Sequence, residues 1–244
     1  MNNNKWFTRP WFYIAILFYF FLGYTTLGYG EKWASMIFPE DHYFENVGAI
    51  SLAVASVLSF YVFIRALKTR RATRMHGLKL MVYLGLALLY FFGAGEEISW
   101  GQRIFNIQEP ASLQGENVQD ELNIHNLAVF ENSKWLKADT IFTVFWMCFA
   151  VLLPWGALLW ERFGKFAETL SPIVDWHIGI LFLLNFFGAR FVQPFFKSTY
   201  TYQSIPYLQA VQEVKESNYE FLFIFLSLIV LWELNQRIRE ALKS

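Results

Sequence analysis

Charge is missing from this chain in long stretches, and that restricts its fold more than any other feature. Trp11 to Tyr29, Asn46 to Ile64 and Thr140 to Trp160 carry no Asp, Glu, Lys or Arg over 19, 19 and 21 residues. A helix needs roughly 20 apolar residues to cross the hydrocarbon core, because each residue rises about 1.5 Å and lipid offers the backbone no hydrogen bonds. Each of these runs is therefore expected to span a bilayer. Three shorter runs compete for the same role: Leu80 to Gly95 with 16 residues, Trp176 to Ala189 with 14, and Phe221 to Trp232 with 12. If they span, they must draw flanking charge into the membrane edge.

The expected fold is an all-α helical bundle of six membrane spans, near 11–30, 46–66, 79–99, 139–160, 175–196 and 218–238. One membrane domain accounts for residues 1–244, with no internal repeat and no linker long enough to separate two domains. A signal peptide over the first span is disfavoured, since its apolar region exceeds the usual 7–15 residues and no small-residue cleavage site follows. Pro154 and Pro194 are expected to kink their spans. Composition agrees with a bilayer: 55% apolar, 20% aromatic and 16% charged. Twenty basic and twenty acidic side chains cancel, so no basic field argues for nucleic acid. Cys148 cannot form an intramolecular disulfide and is expected to be a small buried apolar side chain.

Loops that keep Lys and Arg stay cytoplasmic. The segment Arg65 to Lys79 holds six bases and no acid, which places it inside. Alternation then puts both termini in the cytoplasm of a multi-pass cell-membrane protein and 100–138 on the other side. Thirteen bases lie inside on this topology and six outside, with Arg190 within the fifth span. Membrane lipids are the expected partners, and anionic headgroups suit the basic loop.

Against this frame "GEEISWGQR", Gly95 to Arg103, is a charged cluster at the outer end of the third span. Adjacent helical residues point about 100° apart, so Glu96 and Glu97 both avoid lipid only where the helix end is enclosed. Glu220 opens the sixth span on the same side. Arg190, four to five residues below the outer end of the fifth, costs up to about 2.5–3.5 kcal/mol in lipid and is expected to face the bundle and pair with Glu96, Glu97 or Glu220. In "NVQDELNIHN", Asn117 to Asn126, a helix would set Glu121 and His125 at i and i+4, a spacing that lets a carboxylate and an imidazole share a metal ion or a proton.

These residues make up the candidate site. Glu96, Glu97, Glu121 and His125 are the candidate catalytic groups, with Glu97, Glu121 and His125 as metal ligands. Arg103 and Arg190 would bind an anion, with Ser99, Gln102, Asn126 and Glu220 as further substrate contacts. A carboxylate-rich set suits a divalent ion such as Mg, Mn or Ca, and two close carboxyls also set an acid beside a base. His42 and Glu45 are expected to be solvated. Ile205 to Tyr219 reads as an interfacial helix roofing the cavity, and Glu233 with Arg237 as a structural i, i+4 pair. Asp175 and His177 are explained by the helix dipole, and Trp100 by the interfacial aromatic belt.

"GEEISWGQRIF" followed by "NVQDELNIHN" resembles a signature of uncharacterised polytopic membrane proteins of bacteria and archaea. The resemblance covers Gly95 to Asn126 and implies no activity. The alkaline ceramidase-like membrane hydrolases, whose zinc site needs a histidine pair at i and i+4 plus another histidine, do not fit. This chain has only His42, His76, His125 and His177.

Three functions are compatible with this pattern. The first is a membrane-embedded enzyme acting on a lipid or lipid-linked substrate by hydrolysis or group transfer. The second is a transporter or channel that binds a cation or proton with the same carboxylates. The third is a membrane subunit whose buried ions only fasten helices.

Overall fold

The computed structural model describes residues 5–39, 42–102, 105, 133 and 137–243. Among the described residues helices dominate and no strand occurs, and six helices are long and apolar enough to cross a membrane. They run Pro10–Gly28, Tyr43–Thr69, Gly77–Glu97, Thr140–Leu159, Trp176–Phe196 and Tyr207–Ala241. The short apolar runs thus extend into flanking polar sequence. In two cases that sequence supplies the cap: His76 Nδ1 accepts from Leu78 N, and Asp175 Oδ1 accepts from His177 N, each at 3.2 Å.

We label the helices α1 (Pro10–Thr25), α2 (Glu31–Ile37), α3 (Tyr43–Thr69), α4 (Gly77–Glu97), α5 (Ala138–Trp146), α6 (Leu153–Leu159), α7 (Glu161–Leu170), α8 (Trp176–Phe196) and α9 (Tyr207–Ala241). A π-helical stretch, Met147–Leu152, joins α5 to α6. Pro154 follows it and has no N–H to give to the Ala150 carbonyl four residues back. Gly179 of α8 approaches that same oxygen so closely that a Cβ would lie 2.3 Å from it. The proline at 154 therefore shapes the seam with α8, which a kink alone would not do. Pro194 lies inside α8.

Helix α3 packs between α4 and α9. Its buried face carries Gly48, Leu52, Ala55, Ser59, Val62 and Ala66. Small residues at this spacing let helix backbones approach closely in lipid, where packing and hydrogen bonds replace the hydrophobic drive. Ser59 and Ser227 hydroxyls meet at 3.1 Å across the α3–α9 seam, and Ser56 Oγ donates to the Ala87 carbonyl at 2.8 Å across the α3–α4 seam. The opposite flank of α9 is aromatic. Trp146, Phe182 and Tyr219 stack on one another at 5.1–5.7 Å, all nearly inaccessible to solvent.

Two expectations are corrected here. No separate interfacial helix covers Ile205 to Tyr219; from Tyr207 onward these residues belong to α9, a helix of 35 residues and so about 52 Å long. Apolar residues at 211 and 214 face the bundle, so the amphipathic pattern reflects packing on neighbouring helices. Cys148 is exposed on the π-helical stretch, because the wider turn directs it away from the core. An element absent from the sequence reading is α7, a short amphipathic helix between the fourth and fifth spans.

Candidate functional site

Glu97 is the last residue of α4, and Glu220 lies fourteen positions into α9. Their carboxyls approach each other across the seam between the two helices. An ionised carboxylate only accepts, so a hydrogen bond between the two needs one of them to carry a proton. Glu220 is 4% exposed, and room for it comes from α3: a Cβ on Gly48 would lie 1.9 Å from Glu220 Oε2. Three helices therefore build the pocket for one carboxyl.

More acids surround this pair. Glu45 of α3 and Glu213 of α9 act on both carboxyls, and Glu216 acts on Glu220. Residues 213, 216 and 220 fall at i, i+3 and i+7, which brings them to one face of α9. With Glu97 and Glu220 these acids form one carboxyl-rich cluster. Lys215 donates to Gln212, which donates to Glu216, so part of this charge is tied along the helix surface.

Glu96 faces elsewhere. Its Oε1 accepts the indole N–H of Trp100, four residues on. That contact depends on an unusual backbone: Ser99, Trp100 and Gly101 have φ of 46°, 51° and 76°. Only Gly101 adopts this conformation freely, and each of the other two costs on the order of 1–2 kcal/mol. The chain thus reverses directly after α4, and the Trp100 ring folds onto Gly95, where a Cβ would be 2.7 Å from its Cζ3. Phe91 and Phe92 meet the ring edge-on at 6.2 and 5.5 Å. Trp100 is held by these contacts, which an interfacial belt does not require.

A polar hub lies beside the pair. Asn185, fully buried on α8, accepts from the Tyr24 hydroxyl at 2.8 Å and from Asn218 Nδ2 at 3.1 Å, and donates to the Lys215 carbonyl at 2.8 Å. It ties α1, α8 and α9 together.

At the opposite end, thirteen residues or about 20 Å along α9, Glu233 sits near Lys5, Lys79, Asp175 and Glu168. Lys79, 4% exposed, donates to the Glu168 carbonyl at 2.8 Å. Lys5 pairs with Asp175 at 3.2 Å. Burial pushes the Asp175 carboxyl up, but hydrogen bonds from the His177 ring and backbone and from Lys5 outweigh it and hold the group below its ordinary value. Arg237 pairs with Glu168 of α7 in place of the expected Glu233, because α7 lies closer to its guanidinium than the flank of its own helix.

The expected site is therefore only partly assembled. Glu97 and Glu220 come together; Glu96 and Ser99 belong to the adjoining turn, with Ser99 4% exposed and Gln102 bonded to it through Gln102 N to Ser99 O at 2.9 Å. Arg190 does not pair with Glu96, Glu97 or Glu220: it is exposed on α8 with its guanidinium 4.8 Å from the Phe186 ring centroid. It makes a cation–π contact one turn back on its own helix instead of the expected ion pair. Arg103, Glu121, His125 and Asn126 lie outside the described residues. Among the described residues no three His, Cys, Asp or Glu side chains form a metal-ligand set; the Glu97, Glu121 and His125 grouping rests on two residues outside them. Glu45, expected to be solvated, is partly buried in the acid group, whereas His42 is exposed.

Sequence reading missed Gly48, Glu213 and Glu216. The acids had a signal in their i, i+3, i+7 spacing with Glu220, once α9 is read as one helix. Gly48 had none, since its role comes from a contact 172 residues away in sequence. No protein-family profile, curated protein or solved structure matches the chain.

Proposed function

We propose that the six long helices insert into the cell membrane with both termini in the cytoplasm, and that the protein is an enzyme acting on a lipid or lipid-linked substrate at the extracytoplasmic side. The observation that carries this reading is the approach of the Glu97 and Glu220 carboxyls beside Gly48. One carboxyl in the acid form touching one free to accept a proton is the equipment for general acid–base chemistry. The acid protonates a leaving oxygen while its partner takes a proton from the attacking water or hydroxyl, giving hydrolysis or group transfer. Glu220 is buried between helices while Glu97 is half-buried, and exclusion of bulk water on the Glu220 side strengthens both interactions.

The test is to reconstitute the protein in vesicles of bacterial polar lipid and follow lipid masses with time. Wild type should generate a new lipid species that Glu97→Gln and Glu220→Gln, folded by size-exclusion profile, do not. An unchanged lipid profile with well-folded wild type sinks the enzyme reading. Elemental analysis of the same samples tests metal assistance: a stoichiometric divalent ion lost in Glu97→Gln and His125→Ala supports it.

A second reading, proton or cation movement, draws on Glu220 and Glu233 lying on one helix with the buried Ser59–Ser227 hydroxyl pair between them. A pH-sensitive dye trapped in the vesicles separates the two readings, since only transport acidifies or alkalises the lumen.

A further inference from the structure

The last turn of α4 is locally weak. It contains Gly93 and Gly95, and glycine has the least helix persistence of any residue except proline. The turn ends on Glu97, the residue that must be held in register to meet Glu220. Ala94, Glu96 and Glu97 of "FFGAGEE" favour helix, but the two glycines oppose them and acids at a helix C-terminus oppose the dipole.

What does keep it wound is the reversal that follows. Trp100 covers Gly95, bonds Glu96, and rests on Phe91 and Phe92, so one side chain grips α4 from residue 91 to residue 96. The reversal is fastened in turn by Gly101 N to Ile98 O at 2.8 Å and Gln102 N to Ser99 O at 2.9 Å. Two consecutive non-glycine residues in the left-handed region persist only where the surroundings over-determine them, and such places cluster at working sites. Gly95 has a specific part, because any side chain there would occupy the space of the indole.

We propose that Trp100 and Glu96 are positioning residues: they clamp the last turn of α4 so that the Glu97 carboxyl stays against Glu220. This role rests on the acid pair being the working site. It assigns the two adjacent glutamates different duties, Glu97 in the pair and Glu96 in the clamp.

Two readouts test it without any substrate. One is hydrogen exchange of the backbone amides from Gly93 to Ile98. The other is the infrared carbonyl band of the acid pair, identified as the band lost in both Glu97→Gln and Glu220→Gln. Trp100→Phe keeps the ring but removes the N–H, and Gly95→Ala drives the ring off its seat.

Both variants should raise exchange in the last turn by about tenfold, the order expected when one tertiary hydrogen bond no longer protects it, and both should shift the carbonyl band. Glu96→Gln, which retains an acceptor for the indole, should behave more like wild type than Glu96→Ala. An unmoved band in folded Trp100→Phe overturns the proposal, whether or not exchange rises, because the clamp would then not reach Glu97. If Gly95→Ala fails to fold, Trp100→Phe alone decides. A responsive band in a protein that turns over no lipid would retire the enzyme reading and leave the clamp standing.

Discussion

Gly48 and Glu220 occupy one another's space: a single methyl group on the α3 glycine would lie 1.9 Å from a carboxylate oxygen of the α9 glutamate. The acid is buried there because α3 offers no side chain. A clash of this depth with a buried group forces either the carboxyl or the helix to move, at about 1–3 kcal/mol. Gly48→Ala should therefore destabilise by that amount, whereas Gly85→Ala, with open space around its Cβ, should gain up to about 1 kcal/mol of helix propensity. Thermal unfolding in one detergent compares them. Glu220→Ala should relieve the Gly48→Ala clash in the double variant, and additive losses would place the strain elsewhere.

The Asn185 amide satisfies groups from three helices, so removing it strands several partners at once. Asn185→Leu should lose about 1–3 kcal/mol, the cost of unsatisfied buried polar groups. Tyr24→Phe, which deletes one donor and leaves Asn218 in place, should lose about 0.6 kcal/mol, the average for such bonds between membrane helices. Equal losses would show that the hub does not act as a unit.

Asp175 gives the opposite end a pH dependence of definite sign. Its carboxyl is held below the ordinary value, so its ionised form binds better in the folded than in the unfolded chain. The stability it contributes is fully present above the unfolded pKa of about 3.9 and is lost as pH falls through the folded value. Wild type should thus lose stability relative to Asp175→Asn as pH drops below about 4. A constant difference between the two down to pH 3 would remove the Lys5 and His177 bonds as its cause.

Two cations meet α7, and they should differ in importance. Arg237 pairs with Glu168 at an exposed site, so Arg237→Gln should change stability by no more than about 1 kcal/mol. Lys79 is buried and places its ammonium on the Glu168 carbonyl in the last turn of α7, where a cation also answers the helix dipole. Lys79→Met keeps the stem, leaves that carbonyl unsatisfied and should cost about 1–3 kcal/mol. Proteolytic sensitivity of 160–172 would report the same order.

Six helices long and apolar enough to cross a membrane were legible in the charge-free runs, because a long apolar run satisfies its backbone most simply as a helix. Asp175 at a helix start and the polar end of "GEEISWGQR" were legible too, because helix ends are local properties. Whether Glu96 and Glu97 act together was not local. Tertiary structure separated them, directing one to Trp100 through a left-handed turn and the other to Glu220 through a gap left by Gly48. Arg190 was assigned to the bundle by the energy of a charge in lipid, yet α8 carries it on an exposed face over Phe186. Sequence alone determined that six stretches form long apolar helices, since each helix satisfies its own backbone. Which acids meet was decided only by packing, because a contact between carboxyls depends on the rotation and depth of two helices that the sequence of neither one specifies.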